Sequence, residues 1–222
     1  MNTRVFLITA KTNLHVGDEG GAEFSIIDKA IQRDTLTGLP CINSSSLKGA
    51  LNEYCTRETS MSPEVRTRIF GSDKDSNKSS GKKGEAIFFD AQILLLPQQE
   101  SDVPYSLVTT QSILDRMAQR IKLAGGSFDS SKIPAHKNPL LADAAFKEAC
   151  SDENLPIIAR NVLDSGGISK HLWYEQVIPA ETVFYAVIRE KGDDLKEALS
   201  GKVIQIGANA TIGYGYCLFE LI

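Results

Sequence analysis

With 222 residues, 42% of them hydrophobic and 23% charged, the chain can bury a substantial core as one domain or two small ones, which excludes disorder throughout. A formal net charge of -4 excludes a free-standing, promiscuous nucleic-acid binder, because such proteins carry a basic excess to neutralise phosphates; any contact with RNA must be local. Four cysteines, Cys41, Cys55, Cys150 and Cys217, lack CxxC spacing, so the simplest reading is reduced thiols in the cytoplasm rather than a zinc knuckle or a secreted disulfide framework. No stretch approaches the ~20 apolar residues that span a bilayer, and the first ten residues lack a signal-like apolar region with a cleavage site.

In chain order, residues 4–12 read as a strand that is apolar on both faces, Val5 and Leu7 against Phe6 and Ile8, as a central strand requires. The glycines after L-H-V-G end it. Leu47, Ala50, Leu51, Tyr54 and Cys55 share one helical face, predicting a helix over 46–57 with Ser45 or Ser46 as N-cap. Residues 71–85 are rich in Ser, Lys and Gly without periodicity and read as a mobile loop. A strand over 86–96, ended by Pro97, is followed by a shorter one at 105–109 and by a helix carrying Ile113, Met117 and Ile121, stopped by Gly125 and Gly126. Residues 128–167 are mixed, with a short helix at 139–150. Strands at 182–189 and 214–222 flank a short helix at 193–199. This order predicts an α+β fold of the ferredoxin-like or RNA-recognition type, an antiparallel sheet with helices on one face.

The run from Ile26 to Leu51 brings a loop carboxylate, Asp28, close in sequence to a Ser-rich helix start followed by Lys48. A loop acid can hold a metal, and free N–H groups with hydroxyls and an ammonium favour a phosphate, so the pair points to chemistry on a nucleic-acid backbone. A solvated aspartate or a turn cap, and plain N-capping by serine, are the competing readings. Asp18 and Glu19 are available as second-sphere charge or are simply solvated acids of a Gly-rich loop. Gly213 and Gly215 bracket Tyr214, which is placed either to stack on a base or to fill a tight turn as a core tyrosine. His15 offers a hydrogen bond to RNA or to backbone, or a general base for metal-free cleavage. Arg33 pairs with a carboxylate or a phosphate, and Lys78, Lys82 and Lys83 are available to a target RNA or simply solvated. Trp173 and Tyr174 are expected to pack; His136 and His171 are assigned nothing.

Six ordered blocks carry a family resemblance: L-H-V-G at 14–17, I-D-K-A-I-Q-R-D-T-L-T-G-L-P at 27–40, S-S-L-K-G-A-L at 45–51, I-F-G at 69–71, L-W-Y-E-Q-V-I-P at 172–179 and I-Q-I-G-A-N-A-T-I-G-Y-G at 204–215. Together they resemble the RAMP superfamily of CRISPR proteins, and within it the repeated backbone subunit of the type III-B (Cmr) effector complex. The resemblance implies a single modified RNA-recognition domain over 1–222, with a flexible insertion at about 71–85 and a reduced thumb-like insertion at about 129–168. It implies head-to-tail assembly with identical subunits along a CRISPR RNA, beside the other Cmr subunits. It also implies cleavage of guide-paired single-stranded target RNA in a reaction that depends on a divalent metal, Mg²⁺ or Mn²⁺. The family's cleaving aspartate corresponds to Asp28, which would also hold the metal; guide contacts correspond to Ser45, Ser46 and Lys48, with the loop of Gly213, Tyr214 and Gly215 nearby. His15 and Arg33 complete the expected RNA-binding set. The chain departs from the family in its short middle region, in Ser44 where glycine is usual, and in Ala208 and Ala210 in the C-terminal loop. A non-catalytic scaffold of the same fold and a metal-independent guide-processing endoribonuclease stand as alternatives.

Overall fold

The computed structural model describes residues 1–17, 27–72, 81–127, 129 and 139–222. At the centre of its main sheet lies β1 (Asn2–Ala10), where Val5, Phe6, Leu7 and Ile8 are all buried, so both faces are covered. It pairs antiparallel with β8 (Val183–Glu190) on one side and β10 (Tyr216–Leu221) on the other. Beyond β8 comes β4 (Ala91–Gln98), then β2 (Cys41–Ile42); beyond β10 comes β9 (Lys202–Gln205). Short strands β3 (Ile87–Phe88) and β5 (Ser106–Val108) add to β8 and β4. The four long strands β4, β8, β1 and β10 therefore stand side by side as second, third, first and fourth in the chain, two interleaved split β-α-β units. That is the ferredoxin-like order.

Helices α1 (Ser44–Arg57) and α2 (Pro63–Phe70) make the first crossover, and α5 (Asp194–Leu199) the second. All three lie on the face that carries Phe6, Ile8 and Phe219. Buried Glu190 accepts from the N–H groups of Leu195 at 2.8 Å and Lys196 at 3.1 Å where α5 begins, and Arg68 of α2 reaches Asp194 at 2.9 Å. The inserted α3 (Gln111–Leu123) covers the opposite face instead: the Thr3 hydroxyl, on the same side of β1 as Leu7, donates to the carbonyl of Ala124 at 2.6 Å. Ile113, Met117 and Ile121 are its buried stripe, as their spacing of four predicts.

Several boundaries differ from the sequence expectation. The strand expected over 86–96 is split into β3 and β4 at Phe89 and Asp90, and the Asp90 carboxylate accepts from the first N–H of α1. Pro97 does not end β4, which runs on to Gln98; its pairing with β8 stops at Leu95, so Pro97 sits where only β5 flanks it and its missing N–H costs no second ladder. Helix α2, with Ser62 as N-cap and Pro63 in its first turn, escaped the sequence reading. So did the hairpin of β6 (Ile157–Leu163) and β7 (Ser169–Gln176), a separate two-stranded sheet after α4 (Asp143–Ala149). Tyr174 on this hairpin is 39% exposed, against the expectation that it packs.

Of the polar stretch at 71–85, residues 73–80 lie outside the described residues. Its ends are tied: Ser72 N–H donates to Lys82 O at 2.9 Å and Glu85 N–H to Arg68 O at 2.8 Å. The four cysteines are buried and unbridged, and burial pushes the thiol of Cys55 up to about 11 and those of Cys150 and Cys217 up to about 12. Among the described residues, no helix is long and apolar enough to cross a membrane.

Candidate nucleic-acid interface

Asp28 follows buried Ile27 and has an exposed side chain. Its segment docks on the backbone edge of β7. The N–H groups of Asp28 and Lys29 both donate to the carbonyl of Tyr174, at 3.0 and 3.1 Å, and Gln176 N–H donates to Lys29 O at 3.0 Å. In return, Tyr174 N–H donates to Asp28 Oδ2 at 2.7 Å. One carboxylate oxygen is thereby fixed, and Oδ1 has no partner among the described residues. Beside it, the Lys29 ammonium lies 5.1 Å from the Trp173 ring centroid. Among the described residues no three His, Cys, Asp or Glu side chains gather into a metal cage. The donor set therefore fits a hard ion such as Mg²⁺ only as a one-carboxylate site completed by water and a substrate phosphate, a mode common for that ion. Asp18 and Glu19, like Lys78 and His136, lie outside the described residues.

Gln32, in the same motif, is a structural link that the sequence reading did not mark out. It is 8% exposed and uses its whole amide: Oε1 accepts from Asn43 N–H at 2.8 Å, and Nε2 donates to Gly17 O at 3.1 Å and to Ser46 Oγ at 2.9 Å. The loop after β1, the segment after Asp28 and the first turn of α1 are thus joined by one side chain. Residue type alone gives no signal for it.

The start of α1 differs from the expected free anion site. The helix begins at Ser44 with Asn43 as cap residue, two residues before the predicted 46, so neither Ser45 nor Ser46 is the N-cap. Ser44 N–H donates to Asp90 Oδ1 at 2.7 Å, so the positive end of the helix already faces a carboxylate of its own chain. Ser46, bonded to Gln32, faces inward. Ser45 and Lys48 instead line a groove between α1 and α2 with Arg66, Ser72, Lys82 and Lys83. Among the described residues no carboxylate lines this groove and none of its four cations makes an ion pair, whereas Arg4, Arg33, Arg57 and Arg68 are all paired. An acidic chain thus carries a local cationic track, the footprint that backbone binding needs. Arg66 was missed because α2 was missed.

Two expected RNA contacts are corrected by burial and partners. His15 is 3% exposed, with Nδ1 placed 2.7 Å from Gln176 O and 3.7 Å from Glu175 Oε1. It braces the β7 end from inside, so of the expected readings the backbone hydrogen bond is the one present, and neither a contact with RNA nor the metal-free general-base role suits it. Arg33 donates to Asp152 Oδ1 at 2.7 Å and to the carbonyls of Cys150 and Gly38 at 2.8 and 2.9 Å. Of its two expected partners, the carboxylate is the one present. Bonds from Gln176 and Arg33 outweigh partial burial and hold the Asp152 carboxyl below its ordinary value.

In the C-terminal loop the two glycines do different things. A Cβ on Gly215 (φ +79°) would meet Ile206 O at 2.0 Å, so this close approach is to the chain's own backbone. Gly213 (φ +83°) is exposed, with nothing within 4 Å of such a Cβ. Tyr214 is half-buried beneath the Arg160 guanidinium, 4.7 Å from its ring centroid. Below this loop, buried Glu175 accepts from Asn209 and lies 3.7 Å from Arg160 Nε. The loop, His15 and the strand that holds Asp28 share this polar layer.

The fold and these motifs define a class: residues 7–218 match the RAMP superfamily, and the chain belongs to it. It is similar to the CRISPR system Cmr endoribonuclease Cmr4 of Pyrococcus furiosus, 27% identical over 275 aligned residues that cover 92% of this chain and 90% of that protein. Its fold matches a subunit of the type III-B Cmr-beta complex bound to cognate target RNA, seen by cryo-electron microscopy, with a TM-score of 0.81 at 21% identity over 100% of this chain and 97% of the other. It likewise matches crystalline oligomeric Cmr4 from Pyrococcus furiosus, with a TM-score of 0.71 at 22% identity over 100% and 99% of the two chains.

Proposed function

We propose that this protein is a CRISPR RNA-binding backbone subunit of a type III-B effector complex, an endoribonuclease that cleaves guide-paired target RNA in a divalent-metal-dependent reaction. Its partners on this reading are the CRISPR RNA, the single-stranded target, identical subunits head to tail and the other Cmr subunits in the cytoplasm. The observation that carries the reading is the exposed Asp28 carboxylate, clamped by Tyr174 and tied through the Gln32 segment to the helix that lines the cationic groove.

Each part of the site has a physical task. Lys48, Arg66, Lys82 and Lys83 neutralise phosphates of a bound strand, and Ser45 offers a hydroxyl donor. Gly213 leaves room for a strand to approach the loop. Asp28 keeps Oδ2 fixed and presents Oδ1 outward, which orients a charge toward a phosphodiester without reorganisation. Asp28 would hold a Mg²⁺ or Mn²⁺ ion, which would supply Lewis-acid stabilisation of charge developing on the phosphate.

The test is cleavage of a guide-paired RNA by the reconstituted complex, with Asp28→Ala and with EDTA. Both should abolish cutting while guide and target remain bound. A variant that cuts at the wild-type rate overturns the assignment of Asp28. A wild-type complex that binds but never cuts supports the scaffold alternative, and chelator-resistant cutting of precursor RNA supports the processing alternative.

A further inference from the structure

On the face of the sheet opposite α1 and α2, a second groove runs between α3 and the turn that follows Arg33. Tyr185 and Gln92 form its floor, Arg116 and Arg120 one wall, and Leu36 and Leu123 its rim. The two leucines are 80% and 79% exposed, the most exposed large apolar side chains among the described residues. Among the described residues Arg116 makes no ion pair and Arg120 meets only the carbonyl of Asp90, at 3.2 Å. Asp34 also lines the groove, but its carboxylate is taken by Thr37, Leu36 and Gln92; although burial pushes its carboxyl up, these bonds outweigh it and hold it below the ordinary value. The groove is therefore net cationic with an apolar lip.

The complementary surface is on the same chain, beyond the far end of β4. The turn between β4 and β5 has Glu100 and Asp102 with Val103 47% and Tyr105 43% exposed, and holds no Lys or Arg. Strand β4 passes beside the groove at Gln92 and rises ~3.3 Å per residue, so its end at Gln98 is about 20 Å away and the turn lies farther still. Helix α3 runs back from that end, with Ala124 reaching Thr3. The acidic turn cannot fold into its own groove. A second copy can bring it there.

We infer that Arg116, Arg120, Leu36 and Leu123 form a socket for the Glu100–Tyr105 turn of the next copy of this chain, a heterologous head-to-tail contact with charge and apolar surface matched on the two sides. The socket rests on the proposed assembly and names the surfaces that make it. It leaves the Lys48 and Arg66 groove, on the other face, open to RNA.

Charge reversal in trans is the test, read by sedimentation velocity of the full chain with a single-stranded RNA long enough for several copies. Arg116→Glu with Arg120→Glu, and separately Glu100→Arg with Asp102→Arg, should each leave only single copies on the RNA, with copy–copy affinity lowered about tenfold or more. Mixing the two variants should restore assembly, because each supplies the surface the other needs; restoration also shows that both are folded. Assembly that survives either reversal, or a mixture that stays dispersed, overturns the socket while leaving the assembly reading intact. Reversal at Arg116 and Arg120 that lowers single-copy RNA affinity without changing assembly reassigns the groove to phosphate and overturns it too. A wild-type chain that never assembles overturns both.

Discussion

Tyr174 N–H donates to Asp28 Oδ2 at 2.7 Å while Asp28 N–H donates to Tyr174 O at 3.0 Å, so the proposed catalytic carboxylate is held by a backbone and not by a side chain. Both polar backbone groups of Tyr174 face the Asp28 segment, so replacing it with proline removes the clamp without breaking a bond to β6. A hydrogen bond to a charged group contributes about 1.5–3 kcal/mol, and its loss in the transition state slows single-turnover cleavage by about 10- to 100-fold. Tyr174→Ala keeps the N–H and should cut near the wild-type rate. Equal rates for the two variants would remove the clamp from the mechanism.

The cationic groove predicts a salt signature. For single-stranded nucleic acid, the slope of log affinity against log salt scales with the number of phosphates neutralised, at about 0.7 for each. Lys48→Ala and Arg66→Ala should each flatten the slope by about that amount in a titration of RNA binding from low to moderate KCl. Arg33→Ala should leave it unchanged, because that guanidinium already holds Asp152. An Arg66→Ala slope equal to wild type would take α2 out of the interface.

The local periodicities were enough to find the strands at 4–12 and 182–189 and the stripe of Ile113, Met117 and Ile121, since each buries its apolar face in one continuous core. The ferredoxin-like order followed from those elements. Long-range pairing was not legible. Nothing local says that Asp90 caps α1, that Arg33 meets Asp152, or that Tyr174 holds Asp28 across 146 positions of chain. The β6–β7 hairpin was missed for a related reason: Val162, Leu163 and Leu172 are 47%, 57% and 51% exposed, so it lacks the one-sided burial that makes a strand's alternation visible. His15 stayed open between RNA, backbone and catalysis at a strand end because its burial comes from β7 and the C-terminal loop, both distant in sequence.

The two glycines around Tyr214 give the sharpest comparison. Both have positive φ, so alanine at either position pays the left-handed penalty of roughly 1–2 kcal/mol. At Gly213 nothing else is added, and the melting temperature should fall by only a few degrees, at about 2–4 °C per kcal/mol for a chain of this size. At Gly215 the new Cβ would lie 2.0 Å from Ile206 O, and Ile206 N–H is bonded to Gly215 O at 2.9 Å, so the loop cannot retreat without breaking the pairing that starts β10. Gly215→Ala should therefore melt far lower than Gly213→Ala. Guide binding separates them the other way: Gly213→Ala stays folded, and any loss of RNA affinity it shows reports a strand approaching that open backbone. Equal melting temperatures for the two variants would show that the Ile206 contact gives way easily, and that the loop's shape does not depend on Gly215.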